Sequence, residues 1–210
     1  GSNSISAWSA PVCLTFVQSF YNCPAFNQPL TNLVSTAGVA SCDLTNMMYG
    51  CTIFNQNVGG WNVSKVTNMT SLFQNCRAFN NGGNSSIGTW SVSAVTNMTS
   101  MFAFSVSTVG VFDQNLSAWA LNNAVTLTNM LNYCGMSNNN YSKTLIGWAN
   151  YVSNGNTAKS RSLGASGLKY NSTVFTGSPY NTGSGARTYL TTATGSGGGG
   201  WTISDAGAGA

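Results

Sequence analysis

Apolar and polar positions along this chain recur at long range. Trp61, Trp90, Trp119 and Trp148 are each 29 residues apart. Trp61-Asn62-Val63-Ser64-Lys65-Val66-Thr67-Asn68-Met69-Thr70-Ser71-Leu72-Phe73 returns as Trp90-Ser91-Val92-Ser93-Ala94-Val95-Thr96-Asn97-Met98-Thr99-Ser100-Met101-Phe102, and more loosely as Trp119 to Leu131. A Phe-Asn-Gln-like block recurs at Phe26, Phe54, Phe79 and Phe112. About five such units run from Cys13 to Trp148, with longer connections at Gly82-Gly83-Asn84-Ser85 and Ser105-Val106-Ser107-Thr108. Around Val58–Val63 the apolar spacing is close to that of a strand. Met69, Leu72 and Phe73 stand at i, i+3 and i+4, the spacing of one helical turn, with Thr67 or Asn68 at the cap position. One strand and one short turn cannot bury a core alone, so like units must stack Trp on Trp, Met on Met and Phe on Phe. Trp61, Trp90, Trp119, Trp148, Met69, Met98, Phe73 and Phe102 are therefore expected as core columns. The fold class expected is an α/β repeat: a short right-handed β/α solenoid of about five coils over residues 1–149, with a C-terminal cap and Gly-rich tail over 150–210.

Cysteines add a constraint. Cys23, Cys51 and Cys76 fall in one column, three residues before the Phe of each unit, and Cys134 matches it later. Units stacked at ~4.8 Å lie inside the Cα window of a disulfide. Neighbours among Cys23, Cys51 and Cys76 are thus placed to pair, as are Cys13 and Cys42. The alternative is a ladder of small apolar residues. Cys134 lies two coils from Cys76 and is expected to be a free, buried thiol. No C-x-x-C pair is present, which speaks against a zinc or dithiol site. An even cysteine count in an Asn/Ser/Thr-rich chain points to an oxidising, extracellular setting.

Charge narrows the chemistry. Only 5% of the 210 residues are charged, and the net charge is +4. The acids are Asp43, Asp113 and Asp205; Glu and His are absent. Without His there is no Ser-His-Asp or Cys-His nucleophile. Without His and Glu no ordinary zinc hydrolase site can form. A two-carboxylate glycosidase needs two of three Asp residues that lie far apart in sequence. Seven scattered bases make no nucleic-acid footprint, and no apolar run approaches the ~20 residues of a membrane span. The expectation is no enzyme, no cofactor and no metal site.

The unit V-T-N-M, M/L-F, C, F-N-Q, W-x-V-S resembles the BspA-like leucine-rich-repeat surface proteins, the family with a 26-residue surface repeat. Thr144–Ala149, Leu163–Tyr170, Ala186–Leu190 and Trp201–Asp205 resemble the cap that follows such repeats. The resemblance implies a leucine-rich-repeat-like solenoid, display outside the cell, and binding or adhesion without catalysis. It departs from the family where Asn, Ser or Ala replaces Asp near the Trp, which argues against calcium dependence.

The function expected is a non-catalytic extracellular surface protein that adheres through its solenoid, on a cell or virion surface. Competing readings are a structural subunit of a virion coat, fibre or extracellular layer, and a carbohydrate-recognition module using the Trp column or the bases Lys159, Arg161 and Lys169. Partners expected are other protein chains in a larger assembly and surface glycans, with no nucleic acid. Asn27-Gln28 and Asn55-Gln56 read as a side-chain ladder satisfying turn backbone. Thr67/Thr96 and Thr70/Thr99 match a threonine array in only two units. The seven N-x-[ST] sequons, at Asn62, Asn68, Asn84, Asn97, Asn115, Asn140 and Asn171, read as largely fortuitous in so Asn-rich a chain. Gly197–Gly200 reads as a linker, and ordering it together with the tail Ala206–Ala210 would call for a neighbouring protein surface.

Overall fold

The computed structural model describes residues 5, 8–10, 14–36, 38–175 and 179–209. Regular secondary structure within them is sparse. In chain order the strands and helices are β1 (Cys42–Asp43), β2 (Val66–Asn68), α1 (Asn138–Ser153), β3 (Ser162–Gly164), α2 (Gly183–Thr191) and β4 (Thr202–Ser204). Three short 3-10 segments, Asn81–Gly83, Ser85–Thr89 and Thr194–Ser196, complete the set. The strands form two separate two-stranded parallel sheets, β1-β2 and β3-β4. This overturns the expected β/α solenoid of about five coils. Among the described residues only two α-helices occur, both after residue 137, and no strand exceeds three residues.

The physical reason lies in the stretch read as a helical turn. An α-helix needs each amide to reach the carbonyl four residues back. Here Leu72, Gln74 and Cys76 donate only three residues back, to Met69, Ser71 and Phe73, each at 3.2 Å. The amides between them leave the segment altogether. Met69, Ser71, Phe73 and Asn75 donate to Asn97, Thr99, Met101 and Ala103 at 2.8–3.2 Å. Ser71 (φ 54°) and Asn75 (φ 61°) sit in the left-handed region, which ends any right-handed turn. The segment is a run of linked turns, and its apolar i, i+3, i+4 pattern buries Met69, Leu72 and Phe73 without a helix.

The same rail recurs on either side. Phe16, Gln18, Phe20 and Asn22 donate to Asp43, Thr45, Met47 and Tyr49. Leu44, Asn46, Met48 and Gly50 donate to Asn68, Thr70, Leu72 and Gln74. Met98, Ser100, Phe102 and Phe104 donate to Thr126, Thr128, Met130 and Asn132. Leu131 and Tyr133 pass the pattern to Gly164 and Ser166, and Ala165 to Ser204. Isolated parallel bridges such as Asn68 with Asn97, Asn97 with Thr126 and Leu127 with Leu163 mark the register. Every one of these rail amides points toward the C-terminal neighbour and every matching carbonyl toward the N-terminal one. At Gly50 (φ +71°) glycine takes a left-handed corner that Asn22 and Asn75 occupy in the neighbouring units.

Between the rails lie parallel aromatic columns. Trp61–Trp90 and Trp90–Trp119 ring centres are 6.0 and 6.4 Å apart, within 10° of parallel. Phe54, Phe79 and Phe112 stack at 5.9 and 6.1 Å, and Phe73–Phe102 at 5.9 Å. Centres exceed the ~4.8 Å backbone repeat because offset stacking suits the ring quadrupole. Trp148 keeps the 29-residue interval but stands on α1 and meets Trp201 at 41°. Helix α1 starts at a Ser137 side-chain cap, runs across residues 149 and 150, and packs on α2.

Candidate functional site

The recurring polar side chains are engaged within the repeats. Asn27 Oδ1 accepts from the Asn55 amide and Gln56 Nε2 at 3.0 and 2.9 Å. Asn55 Oδ1 accepts from the amides of Asn80 and Gly82, and Asn80 Oδ1 from the Asp113 amide and Gln114 Nε2. Asp113 Oδ1 ends the series, accepting from the Ser137 amide and hydroxyl and from Asn140 Nδ2. These bonds, exposed at Asn27 and part-buried further along, tie each Asx to the next unit.

The sequons form a second set. Asn62, Asn68, Asn84, Asn97 and Asn115 each accept, through Oδ1, the amide two residues on, so five of the seven sequons are Asx-turns. Asp43 makes the same turn with Thr45. The hydroxyl at the third position often joins in, as with Thr70 Oγ1 on Asn68 Oδ1 at 2.7 Å. These asparagines therefore serve as turn formers. The threonine array is similarly occupied: Thr67 donates to the Cys42 carbonyl and Thr96 to that of Thr67.

Each expected core residue can be placed. Trp61, Trp90, Trp119 and Trp148 are buried, as are Met69, Met98, Phe73 and Phe102. The Trp faces are therefore not available as a sugar platform. Trp61 and Trp119 Nε1 donate to the carbonyls of Leu30 and Ile87, whereas Trp90 and Trp148 Nε1 lack a partner. Cys13 lies outside the described residues, and Cys42 is buried. Cys23, Cys51 and Cys76 are thiols, not disulfides. The column spacing permits pairing, but the thiols instead donate along the stack, Cys51 Sγ to the Phe20 carbonyl at 3.0 Å and Cys76 Sγ to that of Met48 at 2.9 Å. Cys134 is a buried thiol. Burial pushes the Cys51 thiol up to about 11 and Cys134 to about 12, with Cys76 also raised, so these sulfurs stay protonated and unreactive.

The three acids go to three different places. Asp43 and Asp113 support turns, while Asp205 is paired with Arg187. Among the described residues no group of three His, Cys, Asp or Glu gathers as a metal would need. No helix there is long and apolar enough to cross a membrane.

The Gly-rich tail departs from expectation most. Arg187 Nε on α2 contacts both oxygens of Asp205 at 3.1 and 2.9 Å, and Tyr141 on α1 donates its hydroxyl to Asp205 at 3.0 Å. Burial, then the Asp205 charge, raises the Tyr141 phenol well above its usual value. Gly199 and Gly200 donate to the Tyr189 and Thr192 carbonyls, Ala206 to Leu168, and Gly209 to Tyr170. The chain's own residues hold this segment through these bonds. Sequence reasoning missed the latch, because Tyr141, Arg187 and Asp205 share no periodic signal.

What remains at the surface is poor in charge and locally apolar. A 330 Å³ depression is lined by Thr52, Asn75, Arg77, Phe104, Ser105 and Thr108. Its chain neighbours Ile53, Val106 and Val109 are 50, 73 and 53% exposed. A second cavity of 300 Å³, lined by Trp8, Phe16, Ser19, Phe20 and Leu33, opens at the N-terminal face. A third, of 210 Å³, lies beside Arg161, which donates to the carbonyls of Lys159 and Val125. Lys159 is half-buried and Lys169 exposed. No curated protein and no solved structure matches the chain. The family described as "Mycoplasma protein of unknown function, DUF285" matches residues 2–85 and again residues 42–157, the two matches overlapping as repeats do. Together they span most of the chain, which belongs to this repeat family.

Proposed function

We propose that the chain is a non-catalytic, extracellular surface protein of the BspA-like kind, which adheres by binding other proteins through its side walls. The observation that supports this best is the depression that Arg77 lines, with exposed Ile53, Val106 and Val109 next in sequence to its lining residues, on a surface with few charges. Protein interfaces are depleted in charge at their centres and enriched in Arg and apolar side chains. The recurring Asn, Gln and Thr groups are spent on the repeats themselves, which leaves this region as the adhesive chemistry. Membership of a repeat family fits the same reading, since stacked repeats present extended walls to partners.

The test is binding of the purified chain to fixed host cells, before and after protease treatment of the cells. Binding lost on protease treatment, and weakened by Arg77→Ala with Val106→Ser, supports a protein receptor. Binding that survives protease and disappears on removal of glycans would overturn it in favour of carbohydrate recognition.

A further inference from the structure

The rail hydrogen bonds have a direction, and it matters at the N-terminal end. Peptide groups 17–18, 45–46, 70–71 and 99–100 lie in one continuous chain of N–H···O=C bonds, and so do 19–20, 47–48, 72–73 and 101–102. A third chain runs through 21–22, 49–50, 74–75 and 103–104. Aligned peptide dipoles add, as they do in a helix, leaving partial negative charge at the carbonyl end. That end is the first described rail. The carbonyls of Val17 and Ser19 occupy the positions whose later equivalents, Thr45 and Met47, each accept an amide from the preceding unit. Among the described residues nothing donates to them. The Tyr21 carbonyl is approached only by the Cys23 thiol, at 3.8 Å.

A second, independent feature adjoins these carbonyls. The 300 Å³ cavity of Trp8, Phe16, Ser19, Phe20 and Leu33 opens there, beside exposed Leu14 (64%), Trp8 (53%), Val17 (44%) and Tyr21 (41%). Residues 1–42 contain no Asp, Glu, Lys or Arg, so this face carries little side-chain charge of its own. It wants hydrogen-bond donors and one apolar group.

We propose that the N-terminal face, at the outward carbonyls of Val17, Ser19 and Tyr21 beside the Trp8–Phe20 cavity, docks a peptide segment of another protein that donates alternate backbone amides and seats one apolar side chain. This is edge addition, in which main-chain bonds supply affinity and a side-chain pocket supplies selectivity. A second copy does not fit face to face, because two such faces would set carbonyls against carbonyls. The inference rests on the reading that the chain works by binding proteins, and it assigns that binding a distinct face and a donor chemistry.

The probe is a synthetic peptide of residues 65–76, whose Met69, Ser71, Phe73 and Asn75 amides lie on one edge in the native stack. Added to the whole protein, it is expected to shift the amide resonances of Val17 to Asn22. N-methylation of its Ser71 and Phe73 nitrogens removes two donors and leaves the side chains intact. That change is expected to weaken binding about tenfold or more. Trp8→Ala, which folds normally because Trp8 is half exposed, is expected to weaken it about fivefold. Equal binding of the N-methylated peptide, or no shift at millimolar peptide, overturns the proposal. So does a dimer of the protein alone that dissociates on Ser19→Arg, which would make a second copy the occupant. Failure here leaves protease-sensitive cell binding untouched, so it is separable from failure of the adhesion reading.

Discussion

The two ends of this molecule are built from the same hydrogen-bonded rail but finished differently. At the N-terminal end Phe20 and Phe26 are half-buried, Ser19 stands exposed where Met47, Leu72 and Met101 are fully buried, and the Val17 and Ser19 carbonyls have no donor among the described residues. At the C-terminal end the rail runs into β3 and β4, and Asp205 locks the last strand to α1 and α2 through Tyr141 and Arg187. The contrast teaches that burial in a repeat comes from having neighbours on both sides, and that an end needs a separate device. One end has it in a buried ion pair; the other leaves its chemistry available.

The largest break in that comparison comes from the middle. Phe102 is 1% exposed between Phe73 and Phe112, so Phe102→Ala is expected to cost about 4 kcal/mol, against about 1 kcal/mol for Phe26→Ala at the open end. Denaturant midpoints measure both, and equal losses would erase the distinction between ends and middle. The latch comes next. Asp205 has its side chain 1% exposed, and Asp205→Asn leaves the Arg187 guanidinium and the Tyr141 hydroxyl poorly paired. A loss of about 2 kcal/mol is expected, because Arg187 keeps partial solvent access. Proteolysis should then cut within 195–209 before it cuts the repeats.

Alkali should act on the middle and the latch together. Cys51 is raised to about 11, Cys134 to about 12, and Tyr141 well above 10. Unfolded thiols and phenols lose protons first, so above about pH 9 the unfolded state binds fewer protons and stability falls as pH rises. The contribution of these groups is constant below that. A denaturant midpoint that rises from pH 9 to 11 would contradict the burial of the thiols. In the same samples at neutral pH, maleimide is expected to label exposed Cys23 and to spare Cys51, Cys76 and Cys134.

The Asx series repeats the contrast between middle and open end on a smaller scale. Asn80→Ala removes the acceptor of the Asp113 amide and Gln114 Nε2 and is expected to cost about 1.5 kcal/mol. Asn27→Ala, in an exposed part of the first unit, is expected to cost under about 0.5 kcal/mol, since water replaces the lost acceptor.

The sequence revealed the repeat, the aromatic columns and the Asn-Gln series, because each rests on recurrence at a fixed interval. It misled at Met69–Phe73, where linked turns and a helix share the same apolar spacing. The discriminating signal was present but quieter. Positive φ recurs four apart, at Gln18 and Asn22, Asn46 and Gly50, Ser71 and Asn75, and Asn129 and Tyr133, with Asn or Gly at five of these eight positions. Where the pair occurs it interrupts a right-handed helical turn. The Asp205 latch and the outward carbonyls were not legible. The first involves three residues that share no repeat interval, and the second is a property of backbone direction, which side-chain pattern does not encode.

Native-state hydrogen exchange, resolved by residue, tests the account most directly. Local stability should track neighbours on both sides and the latch. The account predicts slowest exchange for the rail amides of Met69, Ser71, Phe73, Met98, Ser100 and Phe102. Thr202 and Ala206 are expected close behind, and Phe16, Gln18, Phe20 and Asn22 should exchange much faster, although each has an internal acceptor. Protection of the Phe16–Asn22 amides equal to that of the middle units, or exchange at 202–206 as fast as at 16–22, would contradict it.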